Sequence, residues 1–552
     1  MPDLSAARGP LRVRSLGRVR YREALALQHA LFHRRSEDYL LLVEHPPVYT
    51  MGVRARAEHV LTDPASVGAE LVRADRGGDV TYHGPGQVVA YPIVSVTLGP
   101  GAIPAYVHGL EGLVAAVLGD LGLPGTGRLD GYPGVWVEPD GPAPRKICAV
   151  GVRVARGRTM HGFALNVDTD LEMFSHIVPC GIPDRPVTSL RAEGLKVETR
   201  DVIDAIVARS RTSPVFSGAV GERSIEFQGA TFAEVRAVAP GAAGRPAARR
   251  LAVAGVDTGT AVSISSRKPP WLRVGASMGD GYLALRRTMR SLDLVTVCEE
   301  AGCPNIYECW ADGTGTFMIN GERCTRACGF CLVDTSRPRP LDATEPVRVA
   351  AAVARMGLVH VVVTTVARDD LTDGGAGAFA STIAAIRERV PGTAVEVLIS
   401  DCKGDETSLR LIYAARPDVL GHNLETVLRL QRAVRPQASY ARSLAVLATA
   451  KAAGLVTKSG IMLGLGETEA EVEGALADLA AVGVDIVTIG QYLRPSASHL
   501  PVVRWWTPAE FADLREHAFG YGFAHVEASP LTRSSYHARQ GAEAARRVAA
   551  SA

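Results

Sequence analysis

Between Ala237 and Arg250 the chain reads AVAPGAAGRPAARR, with six Ala, two Gly, two Pro and three Arg in 14 residues. Side chains this small leave almost nothing to bury, so no single core can run through the stretch, and the low-bulk sequence continues to Ser266. A chain of 552 residues interrupted in this way folds as separate bodies. The expected division is a domain over 1–236, a linker over 237–266 and a second domain over 267–552. At roughly 5 to 6 Å × √n, a flexible linker of about 30 residues has an rms span near 30 Å.

The two sides differ in texture. Before the break, apolar runs such as YLLLVEHPPVYTMG, QVVAYPIVSV and KICAVGVRV mix with helical stretches at 102–121 and 200–208, the pattern of a mixed α/β domain. After it, six strand-like segments (TFMIN, VHVVVTTV, AVEVLIS, DVLGHNL, TKSGIMLG and DIVTIGQ) alternate with Ala- and Leu-rich spans of helix length. Serial βα units favour a parallel, barrel-like sheet, so the expected fold class is α/β in two domains.

With 60 basic and 58 acidic side chains the chain carries no strong field, which removes the compositional case for a nucleic-acid partner. No uninterrupted apolar run of about 18 residues occurs, so no membrane span is expected. The N-terminus has Arg and few acids like a transit peptide, but it lacks the apolar core and cleavage pattern of a secretory signal, and from Leu11 it alternates like a strand. The expectation is a folded start and a cytoplasmic protein. Of nine cysteines, six fall between Cys298 and Cys331. A tight cluster in such a chain suggests metal and a reducing compartment rather than disulfides.

Cys324, Cys328 and Cys331 form CxxxCxxC directly after the first strand of the βα series, where barrels of this kind carry their chemistry. A closed structural zinc site normally needs four protein ligands. Three thiolates leave one metal position open; a four-iron cluster so held would have one iron free to take an external ligand, whereas redox-inert zinc would gain nothing from the arrangement, so spacing favours iron–sulfur over zinc. Cys298, Cys303 and Cys309 form a second triplet, CxxxxCxxxxxC. DDLTDGG (Asp369 to Gly375) has Leu371 where a calcium loop needs a ligand, and GLGE (Gly464 to Glu467) is too short for a dinucleotide fingerprint. Cys402, in SDCKGD, is expected to be an incidental thiol.

The two triplets, with RKPPWL, TFMINGERCTRACGFCLVDTSRP, HNLETV, TKSGIMLGLGE, TIGQYLRPS and RSSYHA, resemble lipoyl synthase, a radical S-adenosylmethionine (SAM) family, over residues 267–552. The resemblance implies a partial (β/α)6 TIM-like barrel. It implies a catalytic [4Fe–4S] cluster on Cys324, Cys328 and Cys331, whose open iron binds SAM and which on reduction cleaves it to methionine and a 5′-deoxyadenosyl radical. An unactivated alkyl C–H bond offers no handle for acid–base chemistry, which is why a radical is needed. An auxiliary [4Fe–4S] cluster would take Cys298, Cys303, Cys309 and, by the family's unusual fourth ligand, Ser535. Serine holds iron less tightly than thiolate, which suits a cluster dismantled to donate sulfur. A low-potential electron donor such as flavodoxin or ferredoxin is implied as a partner.

In the first half Cys148 alternates with Val150 and Val152 on one strand face, as a packed small hydrophobe would. Cys180 sits in IVPCGIPDR, among Pro and Gly, where a side chain can be presented to a substrate. The glycines of RGGDVTYHGPGQ (Arg76 to Gln87) permit close approach of backbone to a ligand, although a tight turn accounts for them equally well. Together with RKICAVGV, HGFALNV and VPCGI, the set resembles octanoyltransferase, of the biotin and lipoate protein ligase fold, over about residues 11–236.

By that resemblance Cys180 attacks the thioester of octanoyl-acyl-carrier protein and Lys146 is its catalytic partner. An unperturbed thiol, with pKa about 8.5, is only a few per cent thiolate near neutrality, so the lysine either acts as base or stabilises thiolate as ammonium. The implied substrate-binding residues are Arg76, Gly77, Gly78, Asp79, Val80, Thr81, Tyr82, His83, Ala149, Val150, Gly151, Gly162, Phe163 and Ala164. No GxxxxGK[ST] occurs, consistent with a transferase rather than an ATP-driven ligase. The two halves then match octanoylation of a lysine on a lipoyl domain, of a 2-oxoacid dehydrogenase complex or the glycine-cleavage H protein, followed by sulfur insertion at C6 and C8. The alternative keeps the radical SAM half and makes the first half a non-catalytic module that recruits lipoyl domains.

Overall fold

A computed structural model describes residues 10–34, 37–216, 224–229, 246–273, 287, 305–311 and 314–551. The chain divides into two compact units, Met1–Glu234 and Val235–Ala552.

The first unit is built on β1 (Leu11–Arg18), β2 (Asp38–Glu44), β6 (Gln87–Ile93), β7 (Thr126–Leu129), β8 (Tyr132–Val137), β9 (Arg145–Ala155), β10 (Arg158–Asn166) and β11 (Ile225–Gln228). They form one mixed sheet in the order β11-β1-β2-β6-β10-β9-β8-β7, parallel only where β1 meets β11 and β2. A smaller sheet joins β3 (Val48–Met51), β4 (Glu70–Arg73) and β5 (Val80–His83) in the order β4-β3-β5. Helix α1 (Tyr21–His33) packs on β6 and β10. Helix α2 (Ala102–Asp120) buries Tyr106, Leu110, Leu113, Val114, Val117 and Leu118 at helical spacing, and these join α3 (Thr199–Ser210) and the large sheet in the main core. Among the described residues α2 is one helix long and apolar enough to cross a membrane. Here its apolar stripe meets the sheet, and polar breaks such as His108 and Glu111 explain why the sequence shows no continuous apolar run.

The second unit is a seven-stranded, all-parallel sheet whose spatial order is its chain order: β12 (Thr314–Ile319), β13 (His360–Thr365), β14 (Ala394–Leu398), β15 (Val419–Gly421), β16 (Thr457–Leu463), β17 (Ile486–Gln491) and β18 (His525–Ser529). Six are the strands expected from sequence. The seventh, HVEAS, is short and carries two titratable side chains in five residues, so its pattern is weak. Near the N-terminal ends of the strands, the buried Glu396 carboxylate accepts from Lys458 Nζ at 2.8 Å and faces His360 Nε2 at 3.3 Å. A paired ionic cluster fills that end.

The stretch expected to be a linker differs from Pro246 on. Residues Pro246–Val253 form a helix, α4, with Leu251 fully buried. Arg429 donates to Ala254 O at 2.7 Å, and Val262 N–H donates to Val502 O at 2.8 Å. Ala-rich sequence has little bulk but the highest helix propensity, and Leu251, Ala252 and the following Val256 are buried. Residues 237–245 lie outside the described residues.

Candidate functional site

Cys180 lies in a one-turn 3-10 element, Pro179–Gly181, half-buried, with φ 56° and ψ 19°. A non-glycine residue in the left-handed region is uncommon and is held there only by its surroundings. Gly181 N–H bonds Val178 O and Ile182 N–H bonds Pro179 O, each at 3.0 Å. The chain leaving this turn then zips onto β9. Lys146 N–H donates to Pro186 O at 2.9 Å, and Thr188 N–H donates to Lys146 O at 2.8 Å. With both backbones fixed, Lys146 Nζ donates to Cys180 Sγ across 3.4 Å. The lysine is buried, and Nζ stands 5.4 Å from the centre of the Trp136 ring. Gly134, at φ 123°, makes room for it: a Cβ there would fall 2.7 Å from Lys146 Cε.

A cavity of about 790 Å³ opens beside this pair, within the usual range for small ligands. Arg76, Gly77, Gly78, Asp79, Thr81, His83, Ala149, Val150, Gly151, Gly162, Phe163 and Ala164 all line it. Val80 and Tyr82 do not. Side chains alternate along β5, so Thr81 and His83 face the cavity while the Val80 and Tyr82 side chains, expected among the substrate-binding residues, pack with Tyr49 and Phe174 behind it. Arg76 is an anchor, bonding Thr50 O at 2.6 Å and Thr50 Oγ1 at 2.8 Å. His83 spends both ring nitrogens on Gln87 Oε1 (2.8 Å) and Thr50 Oγ1 (3.3 Å), and burial together with the neighbouring His45 and Arg76 pushes its pKa far down. It is a structural ring at the cavity wall. Cys148 is fully buried, and burial pushes its thiol far up, as a packed hydrophobe requires.

Sequence reasoning passed over His59, Tyr21, Tyr91, Trp136 and His161. His161 heads the HGFALNV motif, so the signal was present; His59 and Trp136 carry none and are revealed only by folding.

In the second unit Cys324, Cys328 and Cys331 lie on the loop after β12, all half-buried. Cys324 Sγ accepts backbone N–H bonds from Arg326 (3.4 Å) and Ala367 (3.3 Å). Hydrogen bonds to cysteine sulfur tune an iron–sulfur centre. Burial raises the Cys328 thiol and pushes Cys331 up to about 11, a cost that bound metal must overcome. A tetrahedral zinc ion would draw its sulfur ligands to within about 4 Å of each other. Among the described residues, the ligand atoms that converge within 4.8 Å belong to Glu469, Glu473 and His517 on the surface, and the three sulfurs are not so gathered. Three cysteines on one loop are the donor set of a [4Fe–4S] cage with one iron left open.

The loop is fastened by Arg326, whose guanidinium bonds Asp369 (2.7 and 2.8 Å) and the buried Asp401 (2.6 Å) at the ends of β13 and β14. Asp373 accepts from Gly375 and Gly377 N–H at 3.0 and 2.8 Å. The acids of DDLTDGG are thus tied to protein partners. Glu467, of GLGE, accepts from Leu465 N–H and Trp506 Nε1, each at 2.9 Å, pinning the loop after β16. Cys402 is buried, and burial lifts its thiol to about 11.

Of the second triplet, Cys298 and Cys303 lie outside the described residues. Cys309 is on α5 (Ile306–Ala311), and the chain around Ser535 is drawn to that helix: Tyr536 Oη donates to Glu308 at 3.0 Å, and Asn305 Nδ2 donates to Leu531 O at 2.8 Å. Residues 226 positions or more apart are therefore brought to one place.

The lipoyl protein ligase A/B catalytic domain family matches residues 20–210, the N-terminal domain of lipoyl synthase 259–303, and the radical SAM superfamily 318–479. The lipoyl synthase of Rubrobacter xylanophilus is 57% identical over 284 residues, 51% of this chain and 88% of that protein. That of Mycobacterium ulcerans is 52% identical over 307 residues, 56% of this chain and 95% of that protein. A solved lipoate protein ligase from Thermoplasma acidophilum, described as bi-partite, matches 41% of this chain and 88% of its own at 20% identity and a TM-score of 0.33. S-adenosylmethionine and [4Fe–4S] clusters are the cofactors of the radical SAM half, and lipoate biosynthesis is the process served. The chain belongs to the lipoyl synthase family of radical SAM enzymes and carries in the same polypeptide a catalytic domain of the lipoyl protein ligase A/B type.

Proposed function

We propose that the chain carries out two successive steps of lipoate assembly, an octanoyl transfer in the first unit and sulfur insertion in the second. The observation that carries the first step is the 3.4 Å contact from Lys146 Nζ to Cys180 Sγ at a cavity large enough for an eight-carbon chain. The Cys180 sulfur attacks the carbonyl carbon of a carrier-bound octanoyl thioester while Lys146 takes the thiol proton. The carrier sulfur leaves with that proton, and the octanoyl group rests on Cys180. A lysine of a lipoyl domain then displaces Cys180, whose sulfur recovers a proton through Lys146. Thioester to amide is downhill, so no nucleotide is needed. Phe163, Ala164 and Val150 supply apolar wall to the chain.

In the second unit Cys324, Cys328 and Cys331 would hold the catalytic cluster, and Cys298, Cys303, Cys309 and Ser535 the auxiliary one. When bound, these groups supply a reducing electron to S-adenosylmethionine and sulfur to the octanoyl chain. The protein's part is positional. Arg326, through Asp369 and Asp401, fixes the cysteine loop against two strand ends, and Glu467 fixes the loop after β16. A low-potential donor protein would deliver the electron.

Incubating the protein with octanoyl-acyl-carrier protein and weighing it tests the first step: an octanoyl adduct that disappears in Cys180→Ser is expected. A transfer-competent second unit with no adduct on the first would favour the non-catalytic recruitment module.

A further inference from the structure

The acyl transfer proposed above leaves a proton without a taker. A lysine side chain, with an ordinary pKa near 10.4, arrives as an ammonium and must lose two protons to become an amide nitrogen. One can pass through Lys146 to the departing Cys180 sulfur. The other needs a second base at the mouth of the site, with a route to solvent.

Three histidines line the cavity: His59, His83 and His161. His83 has both ring nitrogens bonded, and His161 is buried with its Nε2 on Asp75 at 2.7 Å. His59 is different. Its side chain keeps about a fifth of its surface exposed, and its Nδ1 lies 2.7 Å from Asp79 Oδ2. Asp79 is itself oriented, since its Oδ1 accepts the Val80 N–H at 2.7 Å. A carboxylate on Nδ1 fixes the tautomer that carries the proton there and leaves Nε2 as the acceptor. Among the described residues Nε2 has no hydrogen-bond partner.

The pair is also tied to the nucleophile. Val178 N–H, two residues before Cys180, donates to His59 O at 2.8 Å, and Val60 bridges Ile177. On the other side of Cys180, Gly181 sits at φ 71°, and a Cβ there would stand 2.9 Å from Asp79 Oδ2 and 3.6 Å from His59 Cε1. Glycine next to the nucleophile lets the His–Asp pair lie against that turn. The turn that carries the nucleophile thus meets a lysine at Cys180 Sγ and a carboxylate-oriented imidazole at Val178 and Gly181.

We infer that His59, oriented by Asp79, is the base that deprotonates the acceptor lysine in the second half of the acyl transfer. His59 Nε2 takes one proton from the incoming ammonium. The freed nitrogen attacks the octanoyl carbonyl carbon, so that a C–N bond forms and the C–S bond to Cys180 breaks. The remaining proton returns to Cys180 through Lys146, and His59 releases its own to water.

The inference rests on the octanoyltransferase reading, and the two are separated by following each half-reaction in the full-length protein. Octanoyl-acyl-carrier protein is added first and the Cys180 adduct is weighed. Apo-lipoyl domain is added next, and loss of the adduct is timed against gain of octanoyl mass on the domain. In His59→Asn the adduct should form within a few-fold of the wild-type rate, while transfer to the domain should slow by about 100-fold or more. In His59→Ala added imidazole should restore part of the transfer, which a merely structural role would not permit. Undiminished transfer in His59→Asn, or equal slowing of both halves without rescue, overturns the inference alone. Absence of any adduct on the wild-type protein overturns the acyl-transfer reading and this inference with it.

Discussion

Lys146 and Cys180 are joined twice: Nζ donates to Sγ at 3.4 Å, and the Lys146 backbone pairs with Pro186 and Thr188 just beyond the cysteine. The side-chain contact is therefore set by main-chain bonds that do not depend on either side chain. Lys146→Ala should leave the fold and the Cys180 loop in place yet lower octanoyl transfer by about 100-fold or more. Lys146→Arg should not restore it, because a planar guanidinium neither gives up its proton nor fits beside Gly134. Transfer rates beside unchanged circular dichroism check both.

The two cysteines of the first unit should part company toward a thiol reagent. Cys180 is half-buried and Cys148 fully buried, so iodoacetamide on the native protein should alkylate Cys180 and spare Cys148. Octanoylation beforehand should protect Cys180, and peptide mass mapping reads both. Cys148→Ser, which buries a hydroxyl, should cost about 1–3 kcal/mol of stability.

Acid should loosen the cysteine loop of the second unit. Burial alone would raise the Asp401 pKa, but the hydrogen bond and charge of Arg326 outweigh it and hold the carboxyl down at about 2. A depressed carboxyl stabilises the fold above its unfolded value near 3.8, and that contribution is lost as pH falls from there toward about 2. Apo-protein should unfold along this window, and Asp401→Asn should flatten the dependence while costing about 3 kcal/mol, since it strips a buried arginine of one partner. Urea titrations across the pH range measure both.

Iron content should fall in halves. Reconstituted protein is expected to hold two clusters; Cys324→Ala should retain the auxiliary one and lose cleavage of S-adenosylmethionine. Cys309→Ala should keep that cleavage and stop sulfur insertion. Anaerobic iron and sulfide analysis, with 5′-deoxyadenosine as the readout of cleavage, distinguishes them.

Joining the two units should matter kinetically, because tethering raises the effective concentration of the second site near the first product. Intact chain should convert octanoyl-acyl-carrier protein and apo-domain to lipoyl-domain faster than an equimolar mixture of its halves. Superimposable progress curves would remove the advantage.

Much of this was legible in the residues, and the failures have physical causes. Closely spaced motifs such as CxxxCxxC, and strong strand patterns such as VHVVVTTV, announce themselves because the chemistry or the pleat demands local spacing. That the side chains of Val80 and Tyr82 turn away from the cavity could not be read from the motif as a string, because alternate side chains of a strand face opposite ways. The seat of Lys146 on Trp136, and the meeting of His59 with Asp79, are products of tertiary folding and leave no periodic trace. The helix over Pro246–Val253 was hidden because low bulk was equated with lack of packing, whereas Leu251, Ala252 and Val256 are buried there.

That helix has a practical corollary for dissecting the protein. A truncation that begins at Arg267, where recognisable motif sequence starts, would shear away Leu251 and Val256 and remove the Ala254 carbonyl from Arg429, which would keep its bonds to Glu471 and Gly466. Any clone of the radical SAM half meant to behave as it does in the parent should open upstream of Pro246, or its sluggishness will be mistaken for the effect of separation.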